Sequence, residues 1–116
     1  MMPTWEVNRH TGAKSIPAAL QESTRRRVLD YAAKYRAGKF TRIDVRFRGA
    51  YCYIDGYTDQ GGLPIHLCRL RYFGNRDLWS FAFYTYAHEK YESSLTMTGS
   101  NRCTPEEAFE TSTLFY

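Results

Sequence analysis

At 116 residues the chain has room for one domain, and a domain of this size buries about two-thirds of its unfolded surface. With 43% hydrophobic and 24% charged residues, its composition excludes a disordered chain, and no run of about eighteen apolar residues offers a membrane-spanning helix. A formal net charge of +4 favours an anionic partner such as nucleic acid, an acidic protein or a phosphate, without choosing among them.

Residues 1–15 are polar and aperiodic, which predicts an N-terminal arm anchored by Trp5, with a single domain over 16–116. Pro17 stands where a first helical residue is favoured. From there to Ala37, Leu20, Val28, Tyr31, Ala32 and Tyr35 fall on one arc of a helical wheel. Gly38 suits a left-handed closing residue, and Lys34, Arg36 and Lys39 suit the negative end of the dipole.

The pattern then changes to period two, the signature of strands. In FTRIDVRFR, Ile43, Val45 and Phe47 share one face, and Arg42, Asp44, Arg46 and Arg48 the other. In AYCYIDGY, Ala50, Cys52 and Ile54 alternate with Tyr51, Tyr53, Asp55 and Tyr57. A two-residue turn at Arg48-Gly49 sets Phe47, Val45 and Ile43 opposite Ala50, Cys52 and Ile54. After a turn around Asp59-Gln60-Gly61-Gly62, Cys68, Leu70 and Tyr72 rejoin the apolar face. A turn at Gly74–Asp77 leads to Trp79, Phe81 and Phe83 on the same face. A loop near His88-Glu89-Lys90 precedes a weaker fifth strand, in which Leu95 and Met97 continue the core.

Thr104-Pro105-Glu106-Glu107 is a capping box for a short helix ending by Ser112, and Leu114, Phe115 and Tyr116 form an apolar tail expected to pack. The fold expected is therefore α+β: a five-stranded antiparallel meander with an N-terminal helix and a short C-terminal helix on one face. The other sheet face is left uncovered.

The runs RFRGAYCYIDGY, HLCRLRYFGNRDLWSFAFY and HEKYE together resemble a family of small bacterial proteins of unassigned function, over residues 42–92 and onward towards TPEEAFE. That resemblance implies a bacterial, cytosolic source and carries no site residues. The three cysteines, Cys52, Cys68 and Cys103, include no C-x-x-C pair, which independently argues for free thiols in a reducing compartment. The first fifteen residues lack the apolar core of a signal peptide, which again predicts a cytoplasmic protein.

Aromatic residues are 16% of the chain and include 10 tyrosines, a side chain that tolerates one wet end. On the uncovered face the registers above set Arg42 opposite Asp55, Asp44 opposite Tyr53 and Arg46 opposite Tyr51. Tyr53 then neighbours Arg69 and Tyr51 neighbours Arg71, while the fourth strand adds Tyr84 and Tyr86. Guanidinium forks pair with phosphates, and exposed rings stack unpaired bases. Arg42, Arg46, Tyr51, Tyr53, Arg69, Arg71, Tyr84 and Tyr86 are thus the candidate contact residues for nucleic acid or a protein partner. The same face suits a homodimer or protein-interaction module, and equally an ordinary solvated sheet.

Arg25-Arg26-Arg27 spread around the first helix rather than forming a stripe, which predicts a solvated surface. No G-x-G-x-x-G, P-loop, G-x-S-x-G or H-E-x-x-H motif is present, so no catalytic residue, metal or cofactor is assigned. His66 and Cys68, two residues apart, share a strand face but lack the further ligands of a zinc site or the orienting partner of a dyad. Cys52 and Cys68 are expected to pack in the core. Asp55 is expected to pair with Arg42, and Glu106, Glu107 and Glu110 to serve helix initiation. The sequence therefore favours a non-enzymatic binding domain.

Overall fold

A helix, six strands and a second helix follow one another in the computed structural model, which describes residues 15–58 and 62–114. Residues 1–14 of the expected arm (1–15) lie outside that range, as do Asp59, Gln60 and Gly61 of the expected turn and Phe115 and Tyr116 of the expected tail.

Helix α1 (Ala18–Tyr35) buries Leu20, Thr24, Val28 and Ala32, one residue per turn at a spacing of four. Pro17 is its cap rather than its first residue, and the Pro17 carbonyl accepts from the Gln21 amide at 2.9 Å. Tyr35, expected on the buried arc, is half-exposed in the last turn, out of step with the buried spacing of four. Gly38 has φ +82°, the left-handed geometry expected where the chain turns away.

Strands β1 (Arg42–Arg48), β2 (Tyr51–Tyr57), β3 (Ile65–Tyr72), β4 (Trp79–Thr85) and β5 (Lys90–Ser93) form an antiparallel meander in that order. A sixth strand, β6 (Arg102–Cys103), pairs with the start of β4. The first hairpin is offset by two residues from expectation. Its turn is Gly49-Ala50, so that Arg48 faces Tyr51, Phe47 faces Cys52 and Val45 faces Ile54. Gly49 takes φ +59° at the first turn position, and the Ala50 carbonyl accepts the Tyr72 amide at 2.8 Å. Side chains alternate with period two, so an offset of two leaves both faces intact.

An irregularity in the second hairpin does alter the faces. Between Ile54↔Cys68 and Asp55↔His66 the register shifts by one, because Leu67 is an extra residue in β3. Leu67 and Cys68 are both fully buried, and His66 turns to the open face beside Asp55. The expected sharing of one face by His66 and Cys68 is therefore incorrect.

The core lies between the sheet and the helices, built from Trp79, Phe81, Phe109, Ile54, Leu67, Leu70 and Val28. Gly56 belongs to it through what it lacks: a Cβ there would stand 2.6 Å from two carbons of the Phe40 ring. Leu95 and Met97, expected in the core, are exposed, because β5 stops at Ser93. Buried Thr96 points inward instead.

Helix α2 (Pro105–Thr113) starts as the capping box requires, with Thr104 Oγ1 accepting the Glu107 amide at 3.1 Å and proline in the first turn. It runs one residue beyond Ser112, and Leu114 is exposed rather than packed. Two of its glutamates do more than start it. Arg27 holds Glu106 through both oxygens, at 2.7 and 2.8 Å, and reaches Asp77 at 2.9 Å. Buried Glu110 accepts from Arg36 and from the Tyr31 hydroxyl. Arg25 donates to the Val45 carbonyl. Two of the three consecutive arginines thus clamp elements together, and Arg26 alone is the solvated residue expected of all three.

Candidate binding surface on the open sheet face

The open face is ordered in rungs, because residues paired across antiparallel strands project to the same side. The first rung runs Arg48, Tyr51, Arg71, Ser80 and Arg102 across β1, β2, β3, β4 and β6. A second follows as Arg46, Tyr53, Arg69, Ala82 and Ser93. The third holds Asp44, Asp55 and His66, with Tyr84 paired to Tyr91 further along. Charge is therefore segregated along the strands, with two basic rungs beside one that contains both carboxylates.

In the basic rungs the arginines lie over aromatic rings. Arg69 stands 4.5 Å from the Tyr51 ring centre and 5.3 Å from that of Tyr91, and Arg46 is 5.1 Å from Tyr53. Arg71 and Arg102 share the Phe73 ring at 4.8 and 4.4 Å, and Arg42 covers Tyr57 at 4.0 Å. Each such contact contributes about 0.5–1 kcal/mol at an exposed site. The consequence differs from the expectation of bare tyrosine platforms: a guanidinium group, itself planar, lies over each of these rings. An unpaired base stacks on that plane as well as on a phenol.

The third rung is built around one carboxylate. Asp55 is only 3% exposed, yet both its oxygens are used: Oδ2 accepts Arg46 Nη2 at 2.8 Å and Oδ1 accepts His66 Nδ1 at 3.1 Å. A carboxylate only accepts, so Nδ1 carries the imidazole hydrogen and Nε2 is left as the second ring nitrogen. Asp55 does not pair with Arg42, as the unshifted hairpin implied; Arg42 reaches Asp44 instead, at 3.6 Å. Burial opposes the charge of Arg46, but the hydrogen bond and charge of Asp55 outweigh it and raise its pKa. Around the imidazole, Tyr84 lies at 4.7 Å between ring centres, and the Tyr86 hydroxyl accepts the His66 amide at 2.9 Å.

Tyr91 joins the two regions. Its ring meets Tyr84 at 5.0 Å and Tyr53 at 5.5 Å, although β2 and β5 are separated by β3 and β4. Three strand spacings span about 14 Å in a flat sheet, so the two rings must lean towards each other over the intervening strands. Burial and the nearby Asp55 carboxylate push the Tyr91 hydroxyl above the ordinary phenol range. Beside it, Arg46, Tyr53, His66 and Tyr84 line a cavity of about 270 Å³.

All eight candidate residues named from the sequence lie on or beside this face. Arg46, Tyr51, Tyr53, Arg69 and Arg71 form its continuous centre, Arg42 sits at the β1 end, and Tyr84 and Tyr86 flank His66. Sequence reasoning missed His66, Tyr91 and Arg102. A one-residue bulge and a two-residue strand leave no periodicity to detect, but a tight turn at residues 86–89 would have set Tyr91 opposite Tyr84.

No family model, curated protein or solved structure matches this chain.

What the face can do chemically therefore rests on its own groups. The cysteines are not among them: burial raises Cys52 well above its usual range and pushes Cys68 and Cys103 up to about 12, so all three stay protonated near neutral pH. Among the described residues no three histidine, cysteine or acidic side chains converge as metal ligands, and no helix is long and apolar enough to cross a membrane. The face offers planar cations, hydroxyls and rings, a set suited to binding phosphates and bases.

Proposed function

We propose that this chain is a non-enzymatic binding domain that holds single-stranded nucleic acid on the open face of its sheet. One observation carries the reading: two adjacent rungs interleave Arg46, Arg48, Arg69, Arg71 and Arg102 with Tyr51 and Tyr53, and neither rung contains a carboxylate. Phosphates pair with guanidinium forks, and bases stack on the guanidinium and phenol planes. Free, buried cysteines accord with a reducing, cytosolic setting.

The test is fluorescence anisotropy with an unstructured oligonucleotide over a salt series. Three to five phosphate contacts give a slope of log K against log salt of about −2 to −4. Arg69→Ala with Arg71→Ala is expected to weaken binding by about tenfold or more while leaving the circular dichroism spectrum unchanged. Unchanged affinity in that variant removes the reading. Salt-independent dimers in light scattering, without oligonucleotide binding, would replace it with self-association through the same rings.

A further inference from the structure

The third rung departs from the two basic ones in both shape and charge. The extra residue in β3, Leu67, turns His66 to the open face, and the strands beyond it carry Tyr84 and Tyr91 where the adjacent rung carries Ala82 and Ser93. These rings meet steeply rather than in parallel. Tyr84 and Tyr91 lie 5.0 Å apart at 75°, and Tyr53 and Tyr91 lie 5.5 Å apart at 67°. Rings set edge to face leave part of their faces uncovered, and the cavity of about 270 Å³ lies among them. That size falls below the roughly 300–1,000 Å³ of sites for larger ligands and suits a single ring system.

His66 is held on three sides. Buried Asp55 accepts from Nδ1 at 3.1 Å, the Tyr86 hydroxyl accepts the backbone amide at 2.9 Å, and the Tyr84 ring lies 4.7 Å from the imidazole. With Nδ1 committed as a donor, Nε2 carries a lone pair, and among the described residues no group bonds to it. The lining separates the classes of occupant. An aliphatic side chain would cover Nε2 and leave a polar atom without a partner. An ammonium group, a common guest of aromatic cages, would meet Arg46 and Arg48, which line the same cavity. A phosphate gains more from the two basic rungs, where no carboxylate stands. A nucleobase meets every wall: its faces pack on the phenols and an N–H on its edge reaches Nε2. An indole offers the same two features. Arg46 and Tyr53, however, belong both to the cavity and to the second basic rung, so the occupant is favoured as part of an anionic chain.

We propose that the cavity between Tyr53, Tyr84, Tyr91 and His66 receives one unpaired nucleobase, turned out of the strand that the basic rungs hold, with His66 Nε2 accepting an N–H from the base edge. This rests on the nucleic-acid reading, and it adds a fixed seat for one base to a surface of phosphate contacts and ring planes.

The experiment compares two strands of equal length: one abasic throughout, and one abasic except for a single central adenine. On the native protein the single base is expected to tighten binding by about tenfold. Each variant is scored by the ratio of its own two affinities, so that a general loss of phosphate contact cancels. Tyr91→Ala and His66→Ala are expected to bring this ratio close to one. His66→Phe, which keeps a ring and loses the acceptor, is expected to leave about threefold. The native protein supplies a readout free of any folding defect: the nitrogen resonance of His66 Nε2 should move with the adenine strand and stay in place with the abasic one. Equal affinity of the native protein for both strands, or an unmoved Nε2 with the adenine strand bound, overturns the pocket and leaves strand binding intact. A ratio that survives in both alanine variants places the base on the rungs and overturns the assignment of residues. If neither strand binds, the strand reading fails by itself, and adenosine then decides the cavity. A moved Nε2 keeps it as a nucleobase site, and an unmoved one overturns it. Movement with N-acetyltryptophanamide and none with adenosine overturns it in favour of a protein side chain.

Discussion

Thr24 shows how a single polar atom escapes a periodic pattern. Its side chain is fully buried on α1 between Leu20 and Val28, and its hydroxyl finds no hydrogen-bond partner. An unmade buried hydrogen bond costs about 1–3 kcal/mol, whereas a methyl of the same shape belongs in such a site. Thr24→Val is therefore expected to stabilise the protein by about 1 kcal/mol in urea unfolding, and a loss of stability would mean the hydroxyl is satisfied in solution. The apolar members of this stripe were legible in the sequence, but Thr24 was not, since hydrophobicity is the only signal a helical wheel reads. The burial of Cys52 and Cys68 was legible for the converse reason: both lie in step with Ile54 and Leu70.

At the scale of elements, offsets of one and of two residues have opposite effects. The first hairpin slides by two from its expected register and every side chain keeps its face, so the Arg/Tyr composition of the surface was readable even with the wrong partners. Leu67 adds one residue to β3, and His66 moves from the expected core to the side of Asp55. Nothing in IHLCRLRY announces that insertion, because a bulge is set by how two strands fit and not by the composition of one. Gly56, close to that bulge, lies against a ring rather than serving a turn. Gly56→Ala would drive a methyl into Phe40, which itself packs on Phe109 of α2. Overpacking of this kind costs about 1–3 kcal/mol, so a Tm below that of the native protein is expected, with Phe40→Leu in the same chain recovering part of it. An unaltered Tm would show that the Phe40 ring moves aside freely.

Across the whole molecule, charged clamps join the layers that apolar packing brings together. Arg27 ties α1 to Glu106 on α2 and to Asp77 in the β3–β4 turn, and its side chain is three-quarters buried, at 25% exposure. Arg27→Ala is expected to cost about 1–3 kcal/mol, whereas Arg26→Ala, one residue away and solvated, should fall within about 0.5 kcal/mol of the native protein. Equal effects of the two would dissolve the clamp. Sequence inspection could not separate these neighbours, because their roles depend on glutamate and aspartate some fifty to eighty residues distant. The layered architecture itself was legible, since it needs only the two periodicities and the capping box.

The fork of Arg25 on the Val45 carbonyl bears on how the sheet ends. β1 is the outer member of the meander, and an outer strand presents backbone groups that invite another chain to add on. Arg25 occupies one of those acceptors from the helix side, while Arg42, Arg46 and Arg48 line the same strand with positive charge. An incoming copy would have to displace the fork and bring its own arginines alongside these. Growth into a continuous ribbon is thereby discouraged at the border where it would begin, and the strand is kept as a boundary.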